Sequence, residues 1–257
     1  MPLLKIDHVT QRFGGVIAVS DVSFEIEKGK KIGIIGPNGA GKTTLFNCLT
    51  GFYKPTSGNV IFHDTKDINL SKKRVDQITE LGFARTFQNI RLFKDLTILD
   101  NIKIAMHNSM KYSKADAIFR TKHYYREERI THEKAKQYLD ITDLIEKRHH
   151  KASALSYGEQ RRLEIARALA TGAKTLFLDE PAAGMNPQET QDLIHFINLI
   201  HTKFDLTIVL IEHDMNLVMS LCDTIHVLNY GQLISSGSPE FIRNDPLVIE
   251  AYLGGDD

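Results

Sequence analysis

The chain has 257 residues, enough for one substantial hydrophobic core or for a core domain with a smaller inserted one. Its 32 Lys and Arg residues balance its 32 Asp and Glu residues, so no overall field attracts it to an anionic partner, and we expect no nucleic-acid binding. The apolar runs are far shorter than the roughly 20 residues of a membrane-spanning helix, and we expect no signal peptide.

The first predicted elements are antiparallel strands. Residues 6–10 alternate between apolar and polar side chains, as a half-buried strand does. Val22, Phe24 and Ile26 likewise alternate with serine and glutamate before a glycine turn at residues 28–29. Both patterns predict strands with one buried face and one face in solvent.

A glycine-rich loop follows, between an apolar strand at residues 31–36 and a helical pattern that continues through residues 45–49. A helix start has backbone N–H groups without an intrahelical partner, and glycines let the backbone wrap these groups around phosphates. Lys42 would add a positive charge, and the Thr43 hydroxyl would bind Mg²⁺. The flanking strand and helix disfavour the alternative of a glycine turn that only caps a helix. We predict a nucleotide-phosphate site formed by Gly36, Asn38, Gly39, Ala40, Gly41, Lys42, Thr43 and Thr44.

From about residue 71 to residue 151 the apolar strands disappear, and charged, aromatic and histidine residues recur at helical spacing. This pattern predicts a helical insertion, made of solvated helices that pack locally or that form a partner surface. His149 and His150 are adjacent and have no third candidate ligand nearby, so we predict solvent exposure and no metal site. Cys48 and Cys222 lie in apolar helical surroundings, and we predict buried free thiols.

A capped helix start at residues 155–160 is a second candidate anion site. Ser156 and Glu159 have the spacing of a capping box, which is sufficient to explain both residues. The same start carries Gly158, and its free N–H groups would face an anion. One nucleotide has no obvious need for two phosphate-directed helix ends from the same chain.

Two further apolar strands end in polar groups that carry chemistry. The strand at residues 175–179 ends in Asp179 and Glu180, and the strand at residues 207–211 is followed by His213. Continuous apolar runs are typical of parallel strands, and ligands bind at the carboxyl ends of such strands. We predict that Asp179 binds Mg²⁺, that Glu180 orients or deprotonates an attacking water and that His213 donates a hydrogen bond. The alternatives are ordinary strand-end carboxylates and a surface histidine.

The last predicted strands form a hairpin. Residues 223–228 and 232–235 are strand-like, and the turn between them contains Gly231. Helices are predicted to close the chain.

The motifs together resemble those of the ATP-binding-cassette (ABC) ATPases over nearly the whole chain. The resemblance implies an α/β fold of the P-loop NTPase type, in which a mostly parallel sheet core carries an antiparallel β subdomain and an inserted helical subdomain. Residues 1–257 would form a single nucleotide-binding domain. Its catalytic core with the β subdomain would span approximately residues 1–85 and 152–257, and its helical subdomain approximately residues 86–151.

The resemblance also implies roles for single residues. Phe13 would stack on the adenine, with packing in the hydrophobic core as the alternative, and Gln88 would act in catalysis and as a metal ligand. Ser156 and Gly158 would contact the γ-phosphate of an ATP bound to the opposite subunit, which accounts for the second anion site. The other implied residues are those named above: the metal ligands Thr43 and Asp179, the catalytic base Glu180 and the switch histidine His213.

Three positions depart from the common pattern of the family. Tyr157 stands at the place of a glycine and Glu159 at the place of a glutamine in the helix start. Asn186 stands at the place of an aspartate in the loop after Glu180. All three departures bear on the contacts between two subunits.

Within the family, residues 156–167, 180–187, 211–215 and 248–254 are similar to those of ATP-binding subunits of branched-chain amino-acid importers. The resemblance implies ATP and Mg²⁺, a second identical or related ABC ATPase subunit, two membrane-spanning permeases and, indirectly, an external substrate-binding protein. The chain would lie at the cytoplasmic side of the inner membrane, held there by the permeases. The alternatives are the ATPase of a lipopolysaccharide exporter or another ABC transporter, a soluble non-transport ABC ATPase and a P-loop kinase.

Overall fold

The computed structural model describes residues 2–107 and 110–253. The strands are β1 (Pro2–Phe13), β2 (Val16–Glu27), β3 (Lys31–Ile35), β4 (Ser57–His63), β5 (Asp67–Asn69), β6 (Phe83–Arg85), β7 (Thr175–Asp179), β8 (Thr207–Ile211), β9 (Thr224–Asn229) and β10 (Gln232–Gly237). The α-helices are α1 (Lys42–Leu49), α2 (Val75–Glu80), α3 (Ile98–Ala105), α4 (Lys114–Phe119), α5 (Lys122–Ile141), α6 (Tyr157–Ala170), α7 (Pro187–Phe204), α8 (Met215–Leu221), α9 (Pro239–Asn244) and α10 (Pro246–Leu253). Within these residues, no helix combines the length and the hydropathy of a membrane-spanning segment.

The larger sheet has the strand order β10-β9-β3-β8-β7-β6, in which every neighbouring pair is parallel except β9 and β10. The residues of β7 and β8 are all buried, as are four of the five residues of β3. This burial explains why these strands have almost no polar alternation in the sequence, because helices cover both faces of a parallel sheet. The predicted parallel core is confirmed.

The smaller sheet is antiparallel, with the order β2-β1-β4-β5. Val22 and Ile26 of β2 are fully buried, whereas Ser23 and Glu25 between them are exposed. The alternation in the sequence therefore reports the two faces of this sheet correctly. Its buried face joins the hydrophobic core that also contains β3, α1 and part of β8, so the two sheets share one core.

The predicted hairpin is confirmed as β9 and β10. Tyr230 and Gly231 form the turn, with φ angles of 44° and 78°. Two consecutive positive φ angles are typical of a two-residue type I′ turn, whose twist matches that of the flanking strands. The Gly231 N–H donates to the Ala40 carbonyl (3.0 Å), and the Gly231 carbonyl accepts from the Ser20 N–H (2.8 Å). The hairpin turn thus joins the glycine-rich loop to the antiparallel sheet.

The prediction that strands disappear from about residue 71 was wrong at β6. This strand is the edge strand of the parallel sheet and, among the described residues, pairs only with β7. It has three residues, of which only Phe83 is buried, so it is too short to give a periodic pattern.

The region of the predicted insertion is helical after β6, with α3, α4 and α5 as its helices. Ile98, Ile102 and Leu139 belong to a separate hydrophobic core. Helix α6 contributes Leu163 and other side chains to this core, and Ile165 and others to the core of the parallel sheet. One helix therefore belongs to both packing units, although the sequence places it on one side of a boundary near residue 151.

The two adjacent histidines and the two cysteines have the predicted exposure and burial. His149 and His150 are exposed. Cys48 and Cys222 are buried free thiols, and burial raises the pKa of each to about 12, so neither thiol is reactive. Gly254, the last residue of the C-terminal motif, lies outside the described residues.

Candidate nucleotide-binding site

The glycine-rich loop connects β3 to α1, and two of its glycines are required by the geometry. Gly36 has a φ of +149°, and an added Cβ would lie 2.1 Å from the Leu228 carbonyl oxygen of β9. Gly41 has a φ of +93°, and an added Cβ would lie 2.4 Å from the Ala18 carbonyl oxygen of β2. Both distances are far below any real contact of a Cβ, so the loop passes closely over both sheets only because these positions lack a side chain. The first N–H groups of α1 remain available to an anion.

Lys42, the first residue of α1, is only 9% exposed. Its Nζ donates to the carbonyls of Gly36 (2.6 Å) and Pro37 (2.8 Å), so the ammonium group lies within the loop. Burial lowers the pKa of Lys42, and the nearby Glu180 carboxylate opposes this effect. The interaction with Glu180 indicates that the loop and the end of β7 form one electrostatic site. The next residue, Thr43, is exposed.

The register of the sheet brings three strand ends to one edge. Ile34 of β3 pairs with Ile211 of β8, and Ile211 pairs with Asp179 of β7. Ile34, Ile211 and Asp179 thus lie side by side across the three strands. Within the next two residues of each strand come Gly36 of the glycine-rich loop, His213 and Glu180. The predicted convergence of these groups is therefore a property of the sheet.

Glu180 has a hydrogen-bonded carboxylate and a strained backbone. Gln88 Nε2 donates to Glu180 Oε2 at 2.8 Å, which joins two residues that are 92 positions apart. The φ of Glu180 is +43°, in the left-handed region that costs a residue with a Cβ about 1–3 kcal/mol. The Glu180 N–H donates to the Ile211 carbonyl (3.0 Å), which extends the pairing of β7 and β8 beyond the strand. This bond holds the strained residue in place.

Arg85 is part of the candidate site, although no pattern in the sequence pointed to it. Its Nη2 donates to Asp179 Oδ2 at 2.7 Å, and both side chains are 9% exposed. Its Nη1 donates to Asn47 and Thr50 of the region around α1. The guanidinium also lies against the aromatic ring of Phe46, 4.9 Å from its centroid. Recognition of β6 would have found Arg85, because β6 is the neighbour of β7 and Arg85 is its last residue.

Glu212 is a second residue of the site that sequence reasoning missed. Its side chain is fully buried, and burial raises the pKa of its carboxyl group. Oε1 accepts from the Ala182 N–H (2.8 Å), and Oε2 accepts from the His213 N–H (3.1 Å). Glu212 therefore ties the loop after Glu180 to His213, whose imidazole is 63% exposed. The signal available in the sequence was an acidic residue directly after an apolar strand.

The helix start at Ser156 faces a different cleft from the glycine-rich loop. The Ser156 hydroxyl accepts from the Glu159 N–H, and the Glu159 side chain accepts from the Ser156 N–H, so the predicted capping box is confirmed. Ser156 and Gly158 line a cleft with Glu189, whereas the glycine-rich loop and His213 line a larger open cleft of about 730 Å³. The two clefts have no lining residue in common. The chain does not bring its own Ser156 to its own loop.

Phe13 and Asn186 complete the predicted set. Phe13 is 45% exposed and meets Tyr53 edge to face, with 5.3 Å between ring centroids, so core packing of Phe13 is wrong. Asn186 caps α7, because its side chain accepts from the Glu189 N–H at 3.0 Å. Helix capping is therefore one function of the amide at this position.

Comparisons with known proteins agree with this geometry. The family model described as ABC transporter matches residues 19–183, and the model described as branched-chain amino acid ATP-binding cassette transporter matches residues 232–257. The chain is 45% identical over 253 residues to the high-affinity branched-chain amino acid transport ATP-binding proteins LivG of Escherichia coli and BraF of Pseudomonas aeruginosa, with 98% of each chain covered. A crystal structure of an ABC transporter cassette in its ADP conformation superimposes with a TM-score of 0.84 at 34% identity, covering 99% of both chains.

Proposed function

The chain belongs to the ABC transporter family, and on that premise we propose that it binds and hydrolyses ATP to energise uptake of leucine, isoleucine and valine through partner permeases. The observation that carries this proposal is the meeting of Lys42, Glu180 and His213 at one edge of the parallel sheet. The names of the relatives that span the whole chain support the transported solute.

The triphosphate binds across the glycine-rich loop. Gly36, Asn38, Gly39, Ala40, Gly41 and Thr44 supply backbone groups of the loop and the start of α1, which surround an anion. The ammonium group of Lys42 donates to loop carbonyls in this structure. When the nucleotide binds, the same group donates to the β- and γ-phosphates. Phe13 presents an exposed ring on which adenine stacks.

Hydrolysis requires a water molecule aligned with the γ-phosphate. Glu180 accepts the proton of that water, and Gln88 orients the Glu180 carboxylate through their 2.8 Å hydrogen bond. His213 donates to the γ-phosphate or to the water, while Glu212 holds its backbone. Each of these residues follows a strand of the parallel sheet, so the groups are aligned before the substrate arrives.

The residues present fit Mg²⁺. Thr43 offers an exposed hydroxyl, and Asp179 offers the carboxylate oxygen that is not bonded to Arg85. Gln88 uses its amide nitrogen on Glu180, which leaves its amide oxygen as a ligand. The described residues hold no group of three His, Cys, Asp or Glu that could bind a metal, as suits an ion that completes its shell with phosphate and water. Bound Mg²⁺ would neutralise charge on the β- and γ-phosphate oxygens.

The remaining assignments follow from the family. Ser156 and Gly158 contact the γ-phosphate bound to a second cassette, identical or related, because their cleft is separate from that of the loop. Two permeases hold the pair at the cytoplasmic side of the inner membrane and receive solute from an external binding protein. The core comprises approximately residues 1–85 and 152–257, and the helical subdomain, approximately residues 86–151, transmits the motion at Gln88 to a permease.

The catalytic assignment is tested by Glu180→Gln. We expect the variant to bind Mg²⁺–ATP with unchanged affinity while its turnover falls at least about 100-fold, as for loss of a general base. Equilibrium binding of a fluorescent ATP analogue and phosphate release measure the two properties. Glu240→Gln, on the exposed face of α9, is the matched control. Turnover at the wild-type rate in Glu180→Gln would remove Glu180 from its role.

The transport assignment is tested by purifying the tagged chain from membranes and identifying its companions by mass spectrometry. We expect a second cassette and two permeases, and ATP-dependent uptake of radiolabelled leucine, isoleucine and valine after reconstitution with the binding protein. Companions that export lipopolysaccharide, or the absence of any membrane protein, would favour the alternative functions.

A further inference from the structure

The loop that carries Gln88 is held by one turn of α6. Arg161 is fully buried, and its Nη1 donates to the Phe87 carbonyl at 2.7 Å while its Nη2 donates to the Gln88 carbonyl at 2.9 Å. Glu164 pairs with Arg161 at 2.9 Å and accepts from the Arg91 N–H at 3.0 Å. Both ends of residues 87–91 are therefore bonded to two side chains that lie three positions apart on one helix.

Stability alone does not explain a buried ion pair at this place. Removing two charges from water costs several kcal/mol, and well-packed apolar residues often stabilise a protein as much or more. The burial is reflected in Glu164, since desolvation raises the pKa of its carboxyl group. The pair instead fixes the orientation of the backbone at Phe87 and Gln88, because a planar guanidinium that donates to two consecutive carbonyls holds both in one geometry.

Tyr157 extends this network to the exposed start of α6. It is the residue that stands at the place of the usual glycine, and it lies one helical turn before Arg161. Its hydroxyl oxygen accepts from Arg161 Nη2 at 3.3 Å, and its ring is 42% exposed. Tyr157 lies between Ser156 and Gly158, the two residues that face a second cassette in the proposed function.

We propose that Arg161 is a positioning residue for ATP hydrolysis, which couples the helix start at Tyr157 to the orientation of Gln88. This inference rests on the proposed function. A continuous path of contacts runs from Tyr157 through Arg161 to the Gln88 backbone, and from the Gln88 side chain to Glu180. When the nucleotide of a second cassette displaces the first turn of α6, the displacement reaches the catalytic base of this chain. Each nucleotide site thereby influences the other.

Two mild variants test the coupling in the full chain with its partner cassette. Tyr157→Phe removes only a hydroxyl, and Arg161→Lys keeps the charge but cannot donate to both carbonyls in the same geometry. We expect kcat to fall about fivefold for Tyr157→Phe, as for loss of one long hydrogen bond of 3.3 Å, and about tenfold or more for Arg161→Lys, as for loss of a hydrogen bond to a charged group. The KM for ATP should stay within about twofold, because neither residue contacts the nucleotide of its own chain.

The Hill coefficient of ATP hydrolysis separates coupling from a merely structural effect. It should be above 1 in the wild type and fall toward 1 in both variants, whereas general destabilisation lowers the active fraction without changing cooperativity. Tyr125→Phe and Arg129→Lys, both exposed on α5, are the matched controls and should behave as wild type. Arg161→Met, which leaves Glu164 unpaired, should be worse than Arg161→Lys; if it fails to fold, the two mild variants decide.

Wild-type kcat and cooperativity in folded Arg161→Lys and Tyr157→Phe would overturn the inference, as would a wild type without cooperativity. These outcomes are distinct from failure of the proposed function. If Glu180→Gln abolishes turnover while the Arg161 and Tyr157 variants are normal, only the coupling is wrong. If Glu180→Gln retains turnover, the catalytic site itself is wrong.

Discussion

The buried His226 should make the stability of the protein depend on pH. His226 lies in β9 and is 3% exposed, with its ring tilted against Phe24 of β2 at 4.1 Å between centroids. Its Nδ1 lies 2.9 Å from the Ser236 hydroxyl of β10. Burial lowers the pKa of His226 from 6.5 to about 4, because the imidazolium would lose its water in this position.

The sign and size of the effect follow from proton linkage. Between pH 6.5 and pH 4 the unfolded chain binds a proton at His226 and the folded chain does not, so acid favours unfolding. The contribution is fully present above pH 6.5 and is lost as the pH falls toward 4. Lowering the pKa of His226 from 6.5 to about 4 corresponds to about 3 kcal/mol of unfolding free energy in total, of which about 2 kcal/mol is lost between pH 7.5 and pH 5.

Urea unfolding at several pH values measures this contribution. Circular dichroism is the suitable probe, because the chain has no tryptophan. The free energy of unfolding of the wild type should fall by about 2 kcal/mol more than that of His226→Asn between pH 7.5 and pH 5. Buried carboxyl groups such as Glu212, whose pKa is raised, titrate in both proteins and cancel in the comparison. His149→Asn, at an exposed position, should keep the wild-type slope.

Parallel curves for the wild type and His226→Asn would refute the reasoning, because they would mean that His226 is not desolvated in the folded state. His226→Phe gives an independent check. It packs against Phe24 without a titrating group, so its curve should have the same shallow slope as that of His226→Asn whatever its absolute stability.

Three further predictions concern the site. Lys42→Ala should weaken ATP binding at least about tenfold in equilibrium titrations with Mg²⁺, because it removes a buried cation from the glycine-rich loop. Glu212→Gln should lower turnover about tenfold, measured by phosphate release. Glutamine has one acceptor oxygen and one NH₂ group, so it cannot accept from the N–H groups of both Ala182 and His213 as Glu212 does. Gly41→Ala should unfold more easily in urea and bind ATP weakly, because its Cβ would lie 2.4 Å from a backbone oxygen.

The chain offers a matched control for each of these changes. Lys28→Ala removes an exposed cation, and Glu240→Gln neutralises an exposed carboxylate. Gly172→Ala changes a glycine whose φ is +87° but whose Cβ would meet nothing within 4 Å, so it isolates backbone strain from collision. ATP binding by Lys42→Ala at wild-type affinity, full turnover in Glu212→Gln, or equal effects of Gly41→Ala and Gly172→Ala would each contradict the corresponding argument.

The sequence predicts the parts of the fold and the site that depend on local pattern. The glycine-rich loop, the acids at the end of β7 and the histidine after β8 are recognisable because each follows a continuous apolar strand. The edge strand β6 is too short for such a pattern, and Arg85 was missed together with it. The double membership of α6 was also hidden, because two separate apolar stripes on one helix, one facing each core, give no single apolar face in the sequence.

Other residues were missed because their partners are distant in sequence. Arg161 binds a carbonyl 74 positions away, and Arg85 binds a carboxylate 94 positions away. A charged residue in a helix is most often exposed, so composition favours the opposite of what the structure contains. Only the packing of α6 against the Gln88 loop reveals why a charge is buried there.

For the proposed Mg²⁺ site, the contact between Arg85 and Asp179 predicts the order in which metal and nucleotide bind. Before ATP binds, the Asp179 carboxylate already has a buried cationic neighbour at 2.7 Å. A free divalent ion would therefore approach a carboxylate whose charge is compensated, and it would be repelled by the guanidinium at short range. The triphosphate supplies the negative charge that reverses this balance. We therefore expect the nucleotide-free protein to have little affinity for free Mg²⁺ and to bind the metal only together with the nucleotide.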